Sequence, residues 1–197
     1  MRSKISFTLS VFIISIVGII FSAVIIYFPT PEILVQPVVS IIVPQQIVSG
    51  LPVRLKIPKI HTDAFIEYVG LTTLGAMDVP KGPDDVAWFD LGPRPGENGS
   101  AVIAGHYGWK NNIPAVFDSL STLRTGDIIY VEDGMGSTTT FVVRKLQLYG
   151  EKDNASNVFS SNDGLAHLNL ITCEGVWNPT KKSYSDRLVV FADKKIK

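Results

Sequence analysis

The chain of 197 residues holds a single cysteine, Cys173. One thiol excludes an intrachain disulfide, so the fold stands without that bond. A free thiol outside a cell is a liability unless it is buried or used. Net charge is lacking too: 18 Lys and Arg balance 18 Asp and Glu, which removes the electrostatic case for nucleic acid or a strongly acidic partner. Metal-ligand spacing is absent as well. His61, His106 and His167 lie far apart, with no Cys-x-x-Cys or His-x-x-x-His pair, so neither a metal nor another cofactor is expected. Repeats and low-complexity tracts are missing. What the chain does have is apolar content, 46% of residues, in a length that fits one membrane element and one domain of ordinary size.

The longest apolar run is residues 5–28, "ISFTLSVFIISIVGIIFSAVIIYF", 24 positions without a charge. As a helix it would reach about 36 Å at ~1.5 Å per residue, enough to cross a hydrocarbon core of about 30 Å. A cleavable signal peptide has a shorter apolar core, and a soluble helix of this length would carry a polar face. The run therefore reads as an uncleaved transmembrane signal anchor. Arg2 and Lys4 precede it and all acidic residues follow it. By the positive-inside rule residues 1–4 stay cytoplasmic and the rest is extracellular. Residues 29–50 carry Pro29, Pro31, Pro37 and Pro44, and proline favours extended, semi-rigid chain, so this stretch reads as a linker off the membrane.

From residue 51 to 197 short β-rich runs alternate with turn clusters: "VRLKI", "AFIEYV", "SAVIAGH", "DIIYVED", "TTFVVRKLQLY", "LNLIT" and "RLVVFAD". "GPRPGENG" and "EDGMGS" are typical punctuation. Only "IPAVFDSLSTL" shows helical spacing, with Val116, Phe117, Leu120 and Leu123 on one side. Many strands at short intervals with little helix predict a closed or nearly closed antiparallel barrel.

Three polar residues stand out within that pattern. Cys173 closes the apolar run "LNLIT" before Glu174-Gly175, and a strand end would set its thiol at a barrel rim. The same residue is as readily a small buried hydrophobe. His106 follows a β-run in "AVIAGHYGW", flanked by Gly105 and Gly108, which relax the backbone for a side chain aimed into a cleft. His61 and His167 read as ordinary surface or core histidines. Arg187 lies 14 residues after Cys173, at the start of the last β-run. That separation suits a strand–loop–strand return, bringing a permanently charged donor fork beside the thiol; alone it would be an ordinary edge-strand arginine.

Several segments, taken in order, resemble the sortases, surface cysteine transpeptidases of mainly Gram-positive bacteria. "LPVRLKIPKIHTDAFIEYVGL" is similar to the family's opening strands. "GAMDVPKGPDDVAWFDLGPRPGENGSAVIAGHYGW" resembles the approach to its active-site histidine, and "LRTGDIIYVED" a segment further on. "LNLITCEG" resembles the Thr-Leu-x-Thr-Cys motif, and "YSDRLVVFAD" the final strand with its arginine. The resemblance implies a sortase-type β-barrel of about eight strands with one or two short helices. It also implies Cys173 as nucleophile, His106 as acid/base, Arg187 as stabilising cation and Thr172 in oxyanion stabilisation or substrate positioning. Asn169 departs from the motif, which usually has Thr there. "GVWNPTKKSYSDR" is more similar to the smaller class D, E and F types than to the housekeeping class, and no calcium-binding acidic cluster is recognisable.

The reaction so implied is acyl transfer. The enzyme would cleave an LPXTG-like sorting signal on an exported protein between Thr and Gly, through a thioacyl intermediate. It would then pass the acyl group to an amine, from a peptidoglycan cross-bridge or a pilin lysine. Two alternatives stay open at the level of sequence: a hydrolase on the same fold that needs no acceptor amine, and a non-catalytic membrane-tethered binding barrel.

Overall fold

The computed structural model describes residues 50–196. The predicted anchor at 5–28 and nearly all of the linker lie outside the described residues; among those described, no helix is long and apolar enough to cross a membrane. The described residues form eight strands: β1 (Pro52–Ile57), β2 (Thr62–Val69), β3 (Val86–Phe89), β4 (Gly99–Gly105), β5 (Ile128–Asp133), β6 (Thr138–Gly150), β7 (Ala166–Asn178) and β8 (Ser183–Lys194). They close into a barrel in the order β1, β2, β3, β4, β7, β8, β6, β5. The closed, mainly β architecture is the one expected from the sequence.

Two details differ. The ladders are not all antiparallel, because β2 pairs with β3 and β4 with β7 in parallel. Parallel neighbours require a crossover rather than a hairpin. Residues 70–85 supply one crossover, and the whole excursion through β5 and β6 supplies the other. The other difference is "IPAVFDSLSTL", which forms no α-helix, only turns and a 3-10 turn at Leu120–Thr122. Pro114 lacks a backbone donor, and Asp118 caps local amides, accepting hydrogen bonds from the N–H groups of Gly108 and Ala115. Phe117, Leu120 and Leu123 are nevertheless completely buried, so the apolar spacing marked burial correctly and the helix wrongly. Among the described residues the α-helix is α1 (Ser156–Phe159), where the sequence offered no helical pattern.

Alternation along the strands builds two cores. Leu55, Ile57, Ala101, Ile103, Leu168, Leu170, Leu188 and Val190 point into the barrel. The intervening Val102, Val189 and Phe191 face outward, where they pack with Tyr149, Val158 of α1 and Ile171. Strands β4, β7 and β8 are thus covered on both faces, and their sequences read as apolar runs rather than strict alternation. Full burial of a large aliphatic or aromatic side chain contributes roughly 1.5–3 kcal/mol. The ring of Phe117, wholly buried in the barrel core, lies against Gly105, where an added Cβ would collide with it.

Candidate active site

Strand β7 does not stop at Cys173 but runs on to Asn178, through a register shift between Glu174 and Trp177. Gly175 at that shift has φ +87°, a left-handed conformation that favours glycine. The shift falls where β7 leaves the core: Thr172 is buried, Cys173 half-buried, and residues 175–178 exposed. Cys173 therefore marks the burial boundary of the strand rather than its end. Its partner across the β7–β8 ladder is Arg187. Arg187 belongs to the interior of β8, which is flanked by β7 and β6, so it is not an edge-strand residue. Its guanidinium is held by its own strand: Nη1 donates to the carbonyls of Tyr184 (3.1 Å) and Asp186 (2.8 Å), and Nη2 to Ser183 Oγ (3.1 Å).

His106 comes directly after β4, whose parallel neighbour is β7. Its Nε2 lies 2.8 Å from the Pro80 carbonyl. A carbonyl only accepts, so Nε2–H donates and Nδ1 is the basic nitrogen of the neutral ring. Trp109 packs against the imidazole at 4.7 Å between centroids, and the His106 carbonyl accepts from Phe117 N–H at 3.1 Å. Of the two flanking glycines, Gly108 adopts φ +63°. Gly105 is needed for a different reason than expected: the Phe117 ring occupies the space of a Cβ.

Cys173, His106 and Arg187 line one open cleft of about 1040 Å³. Its aromatic wall is contributed by distant segments. Tyr184 meets Tyr107 edge-on at 5.5 Å and Trp177 at 5.2 Å. None of these rings was singled out from the sequence, because no local spacing links residue 107 to residues 177 and 184. Burial pushes the Cys173 thiol up from its ordinary pKa, and the Arg187 charge pulls it partway back. A second groove of about 960 Å³ continues along the outer face of β7, lined by Ala104, Val158, Phe159, Ile171 and Val189. Arg187, Trp177 and Tyr184 border both spaces.

The remaining residues from the sequence fall into place around this centre. The Thr172 hydroxyl is buried and donates to the Gly105 carbonyl at 2.9 Å. Asn169 is buried and donates from Nδ2 to the Val158 carbonyl at 2.6 Å. His61 caps a 3-10 turn in a left-handed conformation, φ 54°. His167 is buried near the start of β7, with Asp193 and Asp163 on its two ring nitrogens. Neither of these last two histidines lines the cleft.

A family model described as the sortase domain matches residues 55–195. Sortase C-1 from Actinomyces oris superposes with a TM-score of 0.59 at 23% identity, over 74% of this chain and 72% of that one. A lid mutant of sortase A from Corynebacterium diphtheriae gives 0.58 at 23% identity, over 78% and 75%. A sortase D5 transpeptidase from Clostridium perfringens gives 0.54 at 22% identity, over 75% and 79%. These likenesses are of fold, common to sortases named A, C and D. No match was found among curated proteins. With the domain match running from the first barrel strand to just past the last, the chain belongs to the sortase family of cysteine transpeptidases.

Proposed function

We propose that this sortase cuts an LPXTG-like sorting signal between Thr and Gly and transfers the new acyl end to an amine. The observation that carries the reading is the pairing of Cys173 with Arg187 across β7–β8, with His106 lining the same cleft. The Cys173 thiolate attacks the threonine carbonyl, and the C–N bond breaks as protonated His106 donates to the leaving glycine amine. In the second half the acceptor amine attacks the thioester, His106 takes up its proton, and the thiolate is expelled. Arg187 supplies fixed positive charge opposite the sulfur, where charge develops; one oxyanion donor in a comparable acyl-transfer site is worth about 3 kcal/mol.

The groove along Ile171, Val158 and Val189 suits the apolar part of an extended peptide, and Arg187 at its end leads to the thiol. Of the amines named above, a peptidoglycan cross-bridge and a pilin lysine both fit an open cleft. The uncharged run 5–28 behind Arg2 and Lys4 supports a single-pass anchor with the barrel on the outer face, where signal and acceptor would meet.

The test is cleavage of an LPXTG peptide by the full chain and by Cys173→Ala, read by mass spectrometry with and without oligoglycine or a lysine amine. Ligated product from the wild type and no cleavage by the variant is the expected result. Cleavage retained in Cys173→Ala would overturn the reading, and hydrolysed product alone at saturating amine would replace transfer with hydrolysis.

A further inference from the structure

The outward face of β7 presents His167, Asn169, Ile171 and Cys173 at alternating positions, while Leu168 and Leu170 point into the barrel. Ile171 lines the peptide groove and Cys173 the catalytic cleft. The other two hold down the segment between β6 and β7. Asn169 Nδ2 donates to the Val158 carbonyl at 2.6 Å. His167 sits with Nε2 2.9 Å from Asp163 Oδ2 and Nδ1 2.7 Å from Asp193 Oδ1, so its ring bridges the β6–β7 segment to β8. Asp193 is fixed from β6 by Arg144, at 3.1 Å.

The segment so held has little means of holding itself. Helix α1 is a single turn of four residues, far below the length at which a helix is stable alone. Yet Ala155, Val158 and Phe159 supply one wall of the groove. Besides the Asn169 bond, this wall is fastened by the Tyr149 hydroxyl, which donates to Asn157 Oδ1 at 3.0 Å, by the edge contact of Phe159 with Phe89, and by packing of Val158, while His167 holds the segment further on, at Asp163. Asn169 is the tether that reaches the α1 backbone from the middle of β7. Its Oδ1 is buried without a partner among the described residues, so the amide acts through its donor alone.

We propose that Asn169, supported by His167, is a positioning residue for substrate selection: it fixes Val158 and Phe159 over Ile171 and so sets the width of the peptide groove. This rests on the reading of that groove as the seat of the sorting signal. Asn169 precedes Cys173 by four positions, about 13 Å along a strand. An extended peptide with its scissile carbonyl at Cys173 brings a side chain three or four residues upstream to that level. The effect of Asn169 therefore falls on the upstream apolar residue of the signal and spares the chemistry at the thiol.

The experiment uses the full chain in detergent, as wild type, Asn169→Ala, Asn169→Leu and His167→Gln. Asn169→Leu removes the donor without leaving a cavity, and serves where the alanine variant loses its fold. Three readouts are taken: kcat and KM for LPXTG peptides in which the leucine is replaced by Ala, Val or Phe; the rate of Cys173 alkylation by iodoacetamide; and amide exchange across residues 155–160. Loss of the Asn169 bond should raise KM for the leucine peptide about tenfold. It should also flatten the ranking of the four peptides and speed exchange at α1, leaving kcat and alkylation within about twofold; His167→Gln should show the same pattern more weakly. An unchanged peptide ranking in Asn169→Leu overturns the proposal even if exchange speeds up, and unchanged exchange overturns the tether itself. A wild type that cleaves none of the peptides defeats the functional reading instead, and the exchange arm then judges the tether by itself.

Discussion

The Thr172 hydroxyl donates to the carbonyl of Gly105 at 2.9 Å, joining the residue before Cys173 to the residue before His106. The parallel β4–β7 ladder ends one step earlier, at Ala104 and Ile171. A buried side chain thus extends the strand pairing to the point where Cys173 and His106 diverge. Threonine was expected in oxyanion stabilisation or substrate positioning; in the free enzyme its hydroxyl is engaged with this carbonyl. Thr172→Val keeps the shape and removes the donor. The change should destabilise the domain by about 1–3 kcal/mol, the cost of an unpaired buried polar group, and lower kcat more than it raises KM. Thr172→Ser keeps the hydroxyl and should recover most of both. Urea unfolding and steady-state kinetics on the pair measure this directly, and a valine variant equal to wild type would refute the link.

Arg187 acts on the sulfur before any substrate arrives. Burial raises the Cys173 pKa and the guanidinium is the opposing influence, so Arg187→Ala must raise it further. The pH profile of iodoacetamide alkylation should move to higher pH in the variant, and peptide turnover should fall about a hundredfold or more, the range seen when an oxyanion donor is lost. Arg187→Lys keeps the charge but loses the fork that reaches Tyr184, Asp186 and Ser183. It should restore the alkylation profile better than it restores turnover. An alkylation profile unmoved in Arg187→Ala would mean that the cross-strand charge does not reach the thiol.

How much of this was visible beforehand follows from the range of each interaction. Strand content was legible because burial imprints a short period on the chain, and Cys173, His106 and Arg187 stood out because each follows or opens an apolar run. The four-residue β3 (Val86–Phe89) was too short to register. The two parallel ladders were invisible, since nothing local distinguishes a strand that pairs with its sequence neighbour from one that pairs across an excursion. The aromatic wall of Tyr107, Trp177 and Tyr184 escaped for the same reason. In the sequence Asn169 is only a departure from a motif; its contact with Val158, eleven positions earlier, depends on how the β6–β7 segment folds back. His167 looked ordinary because the partners that explain its burial include Asp193 on another strand.

Gly105 offers a test of packing rather than of charge. A Cβ at this position would overlap the Phe117 ring, and that ring is wholly buried under a backbone bonded from Phe117 N–H to the His106 carbonyl. Overpacking of this kind typically costs about 1–3 kcal/mol. Relief by movement of Phe117 would carry His106 with it. Gly105→Ala should therefore lower kcat at least tenfold while the protein remains folded at 25 °C. Combining it with Phe117→Leu, which vacates ring volume, should return part of the activity. If the double variant is no better than the product of the two single effects, the steric route to His106 is wrong.

Acid stability should report on the base of the β6–β7 segment. Asp163 accepts from Leu165 N–H, Ser161 Oγ and His167, and these bonds hold its pKa down to about 2. An unfolded aspartate titrates near 3.9. A depressed folded value means that the unfolded chain binds the proton first as pH falls. The stabilisation is therefore complete above about pH 5, declines below pH 4 and disappears as the folded carboxylate itself titrates near pH 2. Asp163→Asn removes the charge and should erase this contribution. Urea midpoints for wild type and variant should differ at pH 5 and converge toward pH 2. Because Asp163 is solvent-exposed, the gap should narrow in high salt. Amide exchange at residues 161–165 should speed up over the same acid range in the wild type, and in the variant should already be fast at pH 5. A gap that widened on acidification would reverse the sign and exclude Asp163 as the anchor.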